Sequence, residues 1–345
     1  MSRELPVLDA PGAAAHAHAP AVPSTIAMGG VAPAAALRRH PDWIRARMPS
    51  GEVYHDLKRM LEGLNLNTGC QEAMCPNLGE CWDLRTATVM ILGDVCTRAC
   101  GFCAIKTGRP TWNDPDEPRR VAEAVARMEL DHVVVTSVAR DDLPDGGASA
   151  FAATIREIRA RSPLMGVEVL IPDFNGEEAP LRTVMEAGPD ILNHNLETVR
   201  RLQQPVRKRA RWDRTLGVLE RAKVYAAEYG HDVHTKSSLM VGLGETRDEM
   251  TECFEALRAV DCDILTIGQY LRPTADHLPL ERYYHPDEFA AMRDEALAMG
   301  FRHVESGPLV RSSYHARDQV PDAQAKALRR RATITADGRV VAGRA

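Results

Sequence analysis

The sequence predicts an α/β protein built on a parallel β-sheet that closes into a barrel or an incomplete barrel. Short apolar strands alternate with amphipathic helices through most of the 345 residues, and such alternation implies a parallel sheet with right-handed crossovers. Six or seven strand–helix units follow one another, which favours a barrel. An open doubly wound sheet is the alternative, but no Gly-x-Gly-x-x-Gly turn follows the first strand to support a dinucleotide-binding fold.

The individual elements follow from the spacing of apolar residues. Runs of β-branched and apolar residues predict strands, and apolar positions spaced at 3.6 residues between them predict helices. The predicted strands are residues 88–92, 132–138, 167–171, 190–194, 233–240, 264–267 and 302–305. The predicted helices are residues 118–129, 148–161, 177–187, 213–229, 246–259 and 286–299. Residues 43–66 are predicted to be mixed helix and loop.

The chain divides into four predicted regions. Residues 1–36 contain 12 Ala and 5 Pro with almost no large apolar side chain, so we expect a disordered tail over residues 1–40. Residues 41–87 are predicted to be an N-terminal extension that carries the first cysteines. Residues 88–305 are predicted to form the barrel, and residues 306–345 a C-terminal extension with a basic end.

Charge and hydropathy narrow the classes of function. The net charge is −5, which gives no overall attraction to nucleic acid or to an anionic membrane. No run of about 18 apolar residues occurs, so no membrane-spanning helix is expected. The first residues include Glu4 and Asp9 and few arginines, unlike a transit peptide, and no signal peptide is evident. We therefore expect a cytoplasmic protein.

Eight cysteines are the unusual feature of the composition, and six of them fall within 34 residues. Clustered cysteines can form a disulfide framework, but such frameworks belong to small secreted domains. A long chain without a signal peptide favours metal or cluster ligation instead. The other two, Cys253 and Cys262, lie among apolar neighbours on a predicted helix and at the strand after it, which favours a buried core role.

The segment CTRACGFC places three cysteines, Cys96, Cys100 and Cys103, in the loop after the first barrel strand. Three thiolates on one loop can hold three irons of a [4Fe–4S] cube and leave the fourth iron open. The amino and carboxylate groups of S-adenosylmethionine (SAM) can chelate that iron, and an electron from the cluster can release a 5′-deoxyadenosyl radical. Structural zinc is the alternative, but it takes four tetrahedral ligands, usually as two cysteine pairs.

A second group of cysteines, Cys70, Cys75 and Cys81, lies in the segment GCQEAMCPNLGECW. It again offers three thiolates and no evident fourth ligand nearby, so a second iron–sulfur cluster is the natural inference. Buried structural cysteines are the alternative. The close spacing, in a loop with Pro, Asn and Gly, disfavours that alternative.

With these two cysteine groups the chain resembles lipoyl synthases, over roughly residues 50–316. The resemblance rests on the segments EAMCPNLGECW, ILGDVCTRACGFCAIKTGRP, VVVTSVARDDLPDGGA, LNHNLETV, LMVGLGET, LTIGQYLRPT and SGPLVRSSYHA. Biotin synthase, a radical SAM relative, shares the barrel and a similar Asn-His-Asn-Leu-acid motif but lacks the paired cysteine groups. The resemblance implies the radical SAM fold, an incomplete (β/α)6 barrel of the TIM type with extensions at both ends.

The resemblance also implies the roles of individual residues. Cluster ligands for SAM binding would be Cys96, Cys100 and Cys103. Ligands of an auxiliary [4Fe–4S] cluster would be Cys70, Cys75 and Cys81. Ser313, in preference to Ser312, would be the ligand of the fourth iron of the auxiliary cluster. By similarity to the relative's motif, Asn195 and Glu197 would hold the ribose of SAM.

The implied reaction inserts two sulfur atoms, at C6 and C8 of a protein-bound octanoyl-lysine, with the auxiliary cluster as the sulfur donor. Those carbons carry no acidic hydrogen, so acid–base catalysis cannot activate them and a radical is needed. The implied partners are octanoylated carrier domains, from 2-oxoacid dehydrogenase E2 subunits or the glycine-cleavage H protein, and a reductant that donates electrons. The alternatives are another radical SAM sulfur-inserting enzyme and an iron–sulfur carrier without enzymatic activity.

Other polar residues lie near the ends of predicted strands: Arg140, Asp141, Asp142, Lys236 and Gln269. We interpret the first three as polar groups of the active site, and the last two as residues that face the barrel interior, with or without a chemical role. His194 is expected to be a hydrogen-bonded core residue. Residues 200–214 contain seven basic residues and one Asp, which predicts either a solvated loop or a docking surface for an acidic carrier domain.

Overall fold

The structure is a computed structural model that describes residues 40–46, 52–83, 88–128, 130 and 132–319. All of these residues belong to one compact unit. The predicted tail over residues 1–40 lies outside them except for His40, whose ring hydrogen-bonds to the Tyr283 hydroxyl at 2.9 Å. The basic end beyond Gln319 also lies outside the described residues.

A parallel sheet forms the centre of the fold. The described strands are β1 (Asn67–Thr68), β2 (Thr88–Ile91), β3 (Val95–Cys96), β4 (Lys106–Thr107), β5 (His132–Ser137), β6 (Gly166–Leu170), β7 (Ile191–Asn193), β8 (His234–Val241), β9 (Ile264–Gln269) and β10 (His303–Gly307). Eight of them form one sheet in the order β1-β2-β5-β6-β7-β8-β9-β10, and β3 pairs with β4 separately. Only the β1–β2 pair of the large sheet is antiparallel. Since β1 and β10 stand at opposite edges, the sheet is an incomplete barrel, as predicted.

Helices connect successive strands and pack on the sheet. The described α-helices are α1 (Glu52–Gly63), α2 (Gly69–Glu72), α3 (Leu78–Asp83), α4 (Glu117–Arg127), α5 (Ala148–Arg161), α6 (Glu178–Glu186), α7 (Gln203–Val206), α8 (Trp212–Glu228), α9 (Arg247–Ala259) and α10 (Pro286–Ala298). Apolar positions such as Val121 and Val125 of α4 are fully buried, which is why the 3.6-residue spacing identified these helices. Within the part of the chain that the structure describes, no helix is both long and apolar enough to cross a bilayer.

Two aspartates fasten neighbouring strands at the amino end of the barrel. The Asp190 carboxylate, just before β7, accepts a backbone N–H of β6 at 2.7 Å and pairs with Arg159 of α5. The Asp263 carboxylate, just before β9, accepts the Thr235 N–H of β8 at 2.8 Å and pairs with Lys223 of α8. Each aspartate therefore connects two strands and one helix through a hydrogen bond and an ion pair, and these contacts stabilise the relative positions of the three elements.

The predicted barrel strands and helices all occur, with bounds shifted by at most two residues. The β3–β4 ribbon was not predicted, because its two-residue strands are too short to give a periodic signal. Residues 200–214 are also more ordered than a solvated loop. They form a 3-10 turn (Arg200–Leu202), α7 and the start of α8, because Leu202 and Val206 are buried against the core.

Candidate active site: two cysteine groups near the ends of one strand

The loop that carries Cys96, Cys100 and Cys103 leaves the carboxyl end of β2, and backbone hydrogen bonds fix it. The Thr97 N–H donates to the loop after β5 at 3.0 Å, and the Gly101 N–H donates to the end of α7 at 2.9 Å. A Cβ at Gly101 would lie 2.8 Å from the Leu278 side chain, so a larger residue there would force Leu278 to move. We call these three cysteines the SAM group.

The three thiols of the SAM group are free and partly buried. Burial, together with the neighbouring Cys100 and Cys96, raises the pKa of Cys103 to about 12. The Cys96 sulfur accepts backbone N–H groups from Ala139 at 3.3 Å and from Arg98 at 3.4 Å. Because metal ligation needs thiolates, binding at this group would release protons.

Arg98, which lies between the first two cysteines of the SAM group, joins this loop to two others. Its guanidinium forms a bidentate pair with Asp141, at 2.7 and 2.8 Å, and contacts Asp173 at 2.7 Å. Burial opposes the ionisation of Asp173, but the Arg98 charge outweighs it and holds the pKa of Asp173 at about 2. The planar fork of a buried arginine fixes both distance and angle, so Arg98 holds the three loops in a defined arrangement.

Asn195 and Glu197 lie beside the SAM group. The Asn195 amide donates to the Glu197 carboxylate at 3.0 Å. Glu197 and Arg207 both exert a charge effect on the Cys100 thiol, and burial raises the pKa of Glu197 itself. Glu197 has a left-handed backbone with φ of 67°, a strained conformation that is typical of functional positions. The Asn195 Oδ1 atom is buried without a hydrogen-bond partner among the described residues, so it can accept a ligand hydroxyl.

The second group of cysteines, which we call the auxiliary group, lies on the N-terminal extension. Cys70 is on α2, Cys81 is on α3, and Cys75 is on the loop between them. Burial raises the pKa of Cys75 to about 11 and that of Cys81 to about 12, and the nearby Cys70 raises both. Burial raises the pKa of Cys70, and hydrogen bonds from Thr88 and from the buried Trp82 indole N–H oppose that effect. Donors placed in this way suit an anionic sulfur ligand.

Ser313 reaches the auxiliary group through Thr88, the first residue of β2. The Thr88 hydroxyl donates to Ser313 Oγ at 2.8 Å, and Thr88 also lies against the Cys70 thiol. The segment before Ser313 passes over Gly268, where a Cβ would lie 2.1 Å from the carbonyl oxygen of Val310. Only glycine permits this crossing, and it brings the C-terminal segment from β10 across to β2.

Hydrogen bonds from side chains connect two segments of the chain near the auxiliary group. The Asn77 amide donates to the Leu309 carbonyl at 2.7 Å, and the Tyr314 hydroxyl donates to the Glu80 carboxylate at 3.3 Å. These bonds connect the α2–α3 extension with the segment that follows β10. We call these contacts, together with the bond from Thr88 to Ser313, the seam.

Arg311 brings a positive charge to the auxiliary group. Its charge acts on the Cys75 thiol, and its Nη1 donates to the Val310 carbonyl at 2.7 Å. Burial lowers the pKa of Arg311, and the Cys75 thiolate opposes that effect. No carboxylate of the described residues forms an ion pair with Arg311, so its charge is available to an anionic ligand.

The donor sets fit iron–sulfur clusters better than a single metal ion. Among the described residues no three Cys, His, Asp or Glu side chains converge as one metal ion would require, whereas structural zinc draws four ligands together. Each group instead offers three free thiols that influence one another, with a cation close by: Arg207 beside Cys100 and Arg311 beside Cys75. Thiolate sets of this kind are the usual ligands of iron–sulfur clusters.

The polar residues after β5 divide between two roles. Arg140 pairs with Asp142 at 2.9 Å and donates to the Leu92 carbonyl at 3.3 Å. These contacts stabilise the loop conformation. Of the three residues interpreted as active-site groups, only Asp141 contacts the SAM group, through its pair with Arg98.

The residues predicted to face the barrel interior are held by neighbouring groups. Lys236 is fully buried and pairs with Glu168 at 2.8 Å. The Gln269 side-chain amide donates to three backbone carbonyls. His194 is a hydrogen-bonded core residue, as predicted, since its Nδ1 lies 2.9 Å from the Ile171 carbonyl and burial lowers its pKa to about 4.

Several residues that interact with the two groups, or with a neighbour of them, were not predicted from the sequence. They are Thr88, Arg98, Asp173, Arg207 and Arg311. Arg98 and Arg311 could have been noticed, because each lies inside a motif that was already selected for its cysteines or serines. Thr88 and Asp173 gave no such signal, since their roles depend on contacts between distant parts of the chain.

Family models and curated relatives agree on one family. The model of the radical SAM superfamily matches residues 90–257, and the model of the N-terminal domain of lipoyl synthase matches residues 31–75. The lipoyl synthase of Symbiobacterium thermophilum is 58% identical over 288 residues, which cover 84% of this chain and 89% of the relative. The lipoyl synthase of Halalkalibacterium halodurans is 56% identical over 295 residues, which cover 85% and 96%.

Solved structures support the fold alone. The crystal structure of Streptococcus suis SuiB bound to precursor peptide SuiA matches with a TM-score of 0.50 at 9% sequence identity. The match covers 78% of this chain and 56% of that one. At this low identity the likeness concerns the arrangement of strands and helices, which agrees with the incomplete barrel.

Proposed function

The chain belongs to the lipoyl synthase family of radical SAM enzymes, and on that premise we propose how its two cysteine groups divide the reaction. It is an enzyme that uses SAM and [4Fe–4S] clusters to insert two sulfur atoms into an octanoyl chain. The observation that carries the proposal is the position of the groups near the two ends of β2. This strand has four residues, about 13 Å in length, so only a short element of the fold separates the regions that carry the two groups.

At the SAM group, the proposed cluster ligands are Cys96, Cys100 and Cys103. A [4Fe–4S] cluster held by these three thiolates would bind SAM and would supply the electron that cleaves its sulfonium. Asn195 holds the Glu197 carboxylate in place, and that carboxylate accepts hydrogen bonds from the ribose hydroxyls. The buried Asn195 Oδ1 supplies a second acceptor.

At the auxiliary group, the proposed cluster ligands are Cys70, Cys75, Cys81 and Ser313. A cluster bound there supplies the sulfur for C6 and C8 of the octanoyl chain. Thr88 orients the Ser313 hydroxyl, and the Arg311 charge offsets the negative charge of the thiolates. Serine oxygen is a harder ligand than thiolate, and iron in such clusters prefers sulfur, so Ser313 is the weakest of the four.

The proposed substrates are octanoylated carrier domains, from 2-oxoacid dehydrogenase E2 subunits and the glycine-cleavage H protein. A separate reductant supplies the electrons. The proposed compartment is the cytoplasm, because its reducing conditions keep such thiol ligands reduced.

An anaerobic turnover experiment tests this proposal. The full chain is reconstituted with iron and sulfide and mixed with SAM, dithionite and an octanoyl-lysine peptide, and the peptide mass is followed over time. A gain of two sulfur atoms, with about two 5′-deoxyadenosine molecules per product, is expected.

Two other outcomes overturn parts of the proposal. Deoxyadenosine without sulfur in the peptide would keep the radical chemistry and reject this substrate. No deoxyadenosine from protein with well-formed clusters would leave only an iron–sulfur carrier. A reaction without SAM is the control for non-enzymatic sulfide transfer.

A further inference from the structure

A basic cleft lies next to the SAM group at the carboxyl end of the barrel. It has a volume of about 400 Å³ and its lining includes Asp141, Asn175, Lys208, Arg209, Arg211 and Arg214. Arg214 lies on α8, and the other residues lie on the loops after β5, β6 and β7, three strands that are neighbours in the sheet. The cleft therefore opens on the same end of the barrel as the SAM group, where barrel enzymes bind their substrates.

The cleft has an excess of positive charge. Arg209 pairs with Asp141 at 2.8 Å and Arg214 pairs with Asp173 at 3.1 Å, but both carboxylates are already paired with Arg98. Lys208 and Arg211 are exposed, and neither forms an ion pair with a residue that the structure describes. The whole chain carries a net charge of −5, so this cleft is a local exception to a surface that repels acidic partners.

The side chains of the cleft favour the binding of an acidic protein surface over the binding of nucleic acid. Single-stranded nucleic acid is bound by cations together with exposed aromatic rings that stack on the bases. The aromatic ring of residues 200–214 is Trp212, which is buried with Arg200 over its ring. The cleft thus offers exposed, flexible cations without a stacking platform, which suits carboxylates on the rim of a protein interface.

A shared aspartate connects the cleft with the SAM group. One oxygen of Asp141 accepts both Arg98 of the cysteine loop, at 2.8 Å, and Arg209 of the cleft, at 2.8 Å. An acidic side chain seated on Arg209 would therefore lie one residue away from the loop that holds the proposed SAM cluster. A carrier docked here would bring its octanoyl-lysine arm to the correct end of the barrel.

We propose that Lys208, Arg209, Arg211 and Arg214 form the docking site for acidic side chains of the octanoylated carrier domain. This inference rests on the proposed function, because the carrier is the substrate of that reaction. Docking through exposed charges raises the association rate more than it lowers the dissociation rate. Carrier binding should accordingly weaken at high salt, which screens exposed charges beyond about 10 Å at 0.1 M.

The test uses the double variant Lys208→Gln/Arg211→Gln, because these two cations hold no structural ion pair among the described residues. The matched control is Arg127→Gln/Arg161→Gln, which removes the same charge from the exposed faces of α4 and α5. Binding of a labelled carrier domain to each reconstituted full-length protein is measured by fluorescence anisotropy at about 0.1 M and about 0.5 M salt. Sulfur insertion is measured in parallel, with the octanoylated carrier and with a short octanoyl-lysine peptide.

We expect the cleft variant to bind the carrier about tenfold more weakly at low salt, from the loss of two exposed charge contacts. The control variant should bind like the unchanged protein, and high salt should remove the difference between them. The ratio of kcat/KM for the carrier to kcat/KM for the peptide should fall by a similar factor. Identical iron content and absorbance spectra would show that both variants are folded and loaded.

Equal binding of the carrier by the cleft variant and the unchanged protein would overturn the proposal. The same holds if the variant loses affinity for single-stranded RNA and keeps its affinity for the carrier. Failure of the proposed function is distinct, since it appears as the absence of sulfur insertion into both substrates by the unchanged protein. Even then, salt-dependent carrier binding that requires Lys208 and Arg211 would support the docking site.

Discussion

The two cysteine groups are built in opposite ways. The SAM group lies on one loop within eight residues of sequence, and backbone bonds and the buried Arg98 pair fix it to the barrel. The auxiliary group uses thiols from the N-terminal extension and a serine from the far end of the barrel. Its parts meet at the seam through a few side-chain bonds, such as those of Asn77 and Thr88.

Because of this difference, the two cysteine groups depend on different parts of the fold. The SAM group is fixed once the barrel has formed, because Asp141 and Asp173 come from loops after neighbouring strands. The auxiliary group depends in addition on the crossing of the C-terminal segment over Gly268. Substitutions in the barrel loops should therefore affect SAM cleavage, and substitutions at the seam should affect sulfur transfer alone.

The largest effects should come from removing one thiol from each group. We expect Cys100→Ala to lose SAM cleavage and Cys75→Ala to keep it without transferring sulfur. Each variant should keep about half of the iron, because two thiolates do not hold a cube that three or four hold. Iron analysis and chromatography of 5′-deoxyadenosine measure both outcomes.

The matched control for this pair is Cys253→Ala, which removes a buried core thiol outside both groups. It should keep the full iron content. Loss of both clusters in either of the other variants would contradict the independence of the two groups.

The next effect in size concerns Arg98. We expect Arg98→Gln to slow SAM cleavage about 100-fold, because a small displacement of a reacting group has a cost of that order. Arg98→Lys should recover part of the rate, since it restores the charge without the bidentate fork. The measurement is the initial rate of deoxyadenosine formation at equal iron content.

Arg159→Gln is the control, because it breaks a comparable pair with Asp190 at the other end of the barrel. It should lower the free energy of unfolding and leave the rate of SAM cleavage per folded molecule unchanged. A normal rate in Arg98→Gln would show that the buried pair does not position the loop.

A smaller effect is expected from Asp173→Asn, and it should depend on pH. Arg98 lowers the pKa of Asp173 to about 2, below the usual value of about 3.9. Its ionised form therefore stabilises the folded protein above about pH 4, and this contribution is lost as the pH falls through about 2. At neutral pH we expect a loss of about 2 kcal/mol in the free energy of unfolding. Urea titrations of both proteins between pH 7 and pH 2 should converge at the acid end, and a constant difference would refute the ion pair.

The smallest effect is expected at the seam. Thr88→Val removes the hydroxyl that donates to Ser313 and keeps the shape of the side chain. One lost hydrogen bond is worth about 1 kcal/mol, so sulfur transfer should fall about fivefold while SAM cleavage stays normal. Thr154→Val, which removes a comparable hydroxyl bond within α5, is the control. An equal fall in SAM cleavage would contradict the separation of the groups.

Much of the fold follows from local patterns. The strand at residues 132–137 and the helix at residues 148–161 lie where β-branched runs and helical spacing predict them. The capping box of α9 marks its start, because Thr246 and Glu249 satisfy each other's backbone N–H groups. The two-residue strands β3 and β4 carry no pattern, so only tertiary contacts define them.

The site is less predictable than the fold, for a physical reason. Cysteine spacing identifies the thiols because three ligands on one loop are a local arrangement. The contacts of Thr88 with Ser313, and of Arg98 with Asp173, join residues far apart in sequence. A single sequence contains no record of such pairs, and the positive φ of Glu197 likewise depends on its tertiary surroundings.

Because the C-terminal segment must cross Gly268 to reach the auxiliary group, the ligand set of that group is completed late in the synthesis of the protein. Cys70, Cys75 and Cys81 leave the ribosome early, but Ser313 follows more than 200 residues later. At about 5–20 residues per second, the three thiols wait roughly 10 to 50 seconds without their fourth partner. During that interval the nascent chain exposes an incomplete set of ligands to oxidants and to other metal ions, and the slower the synthesis, the longer this exposure lasts.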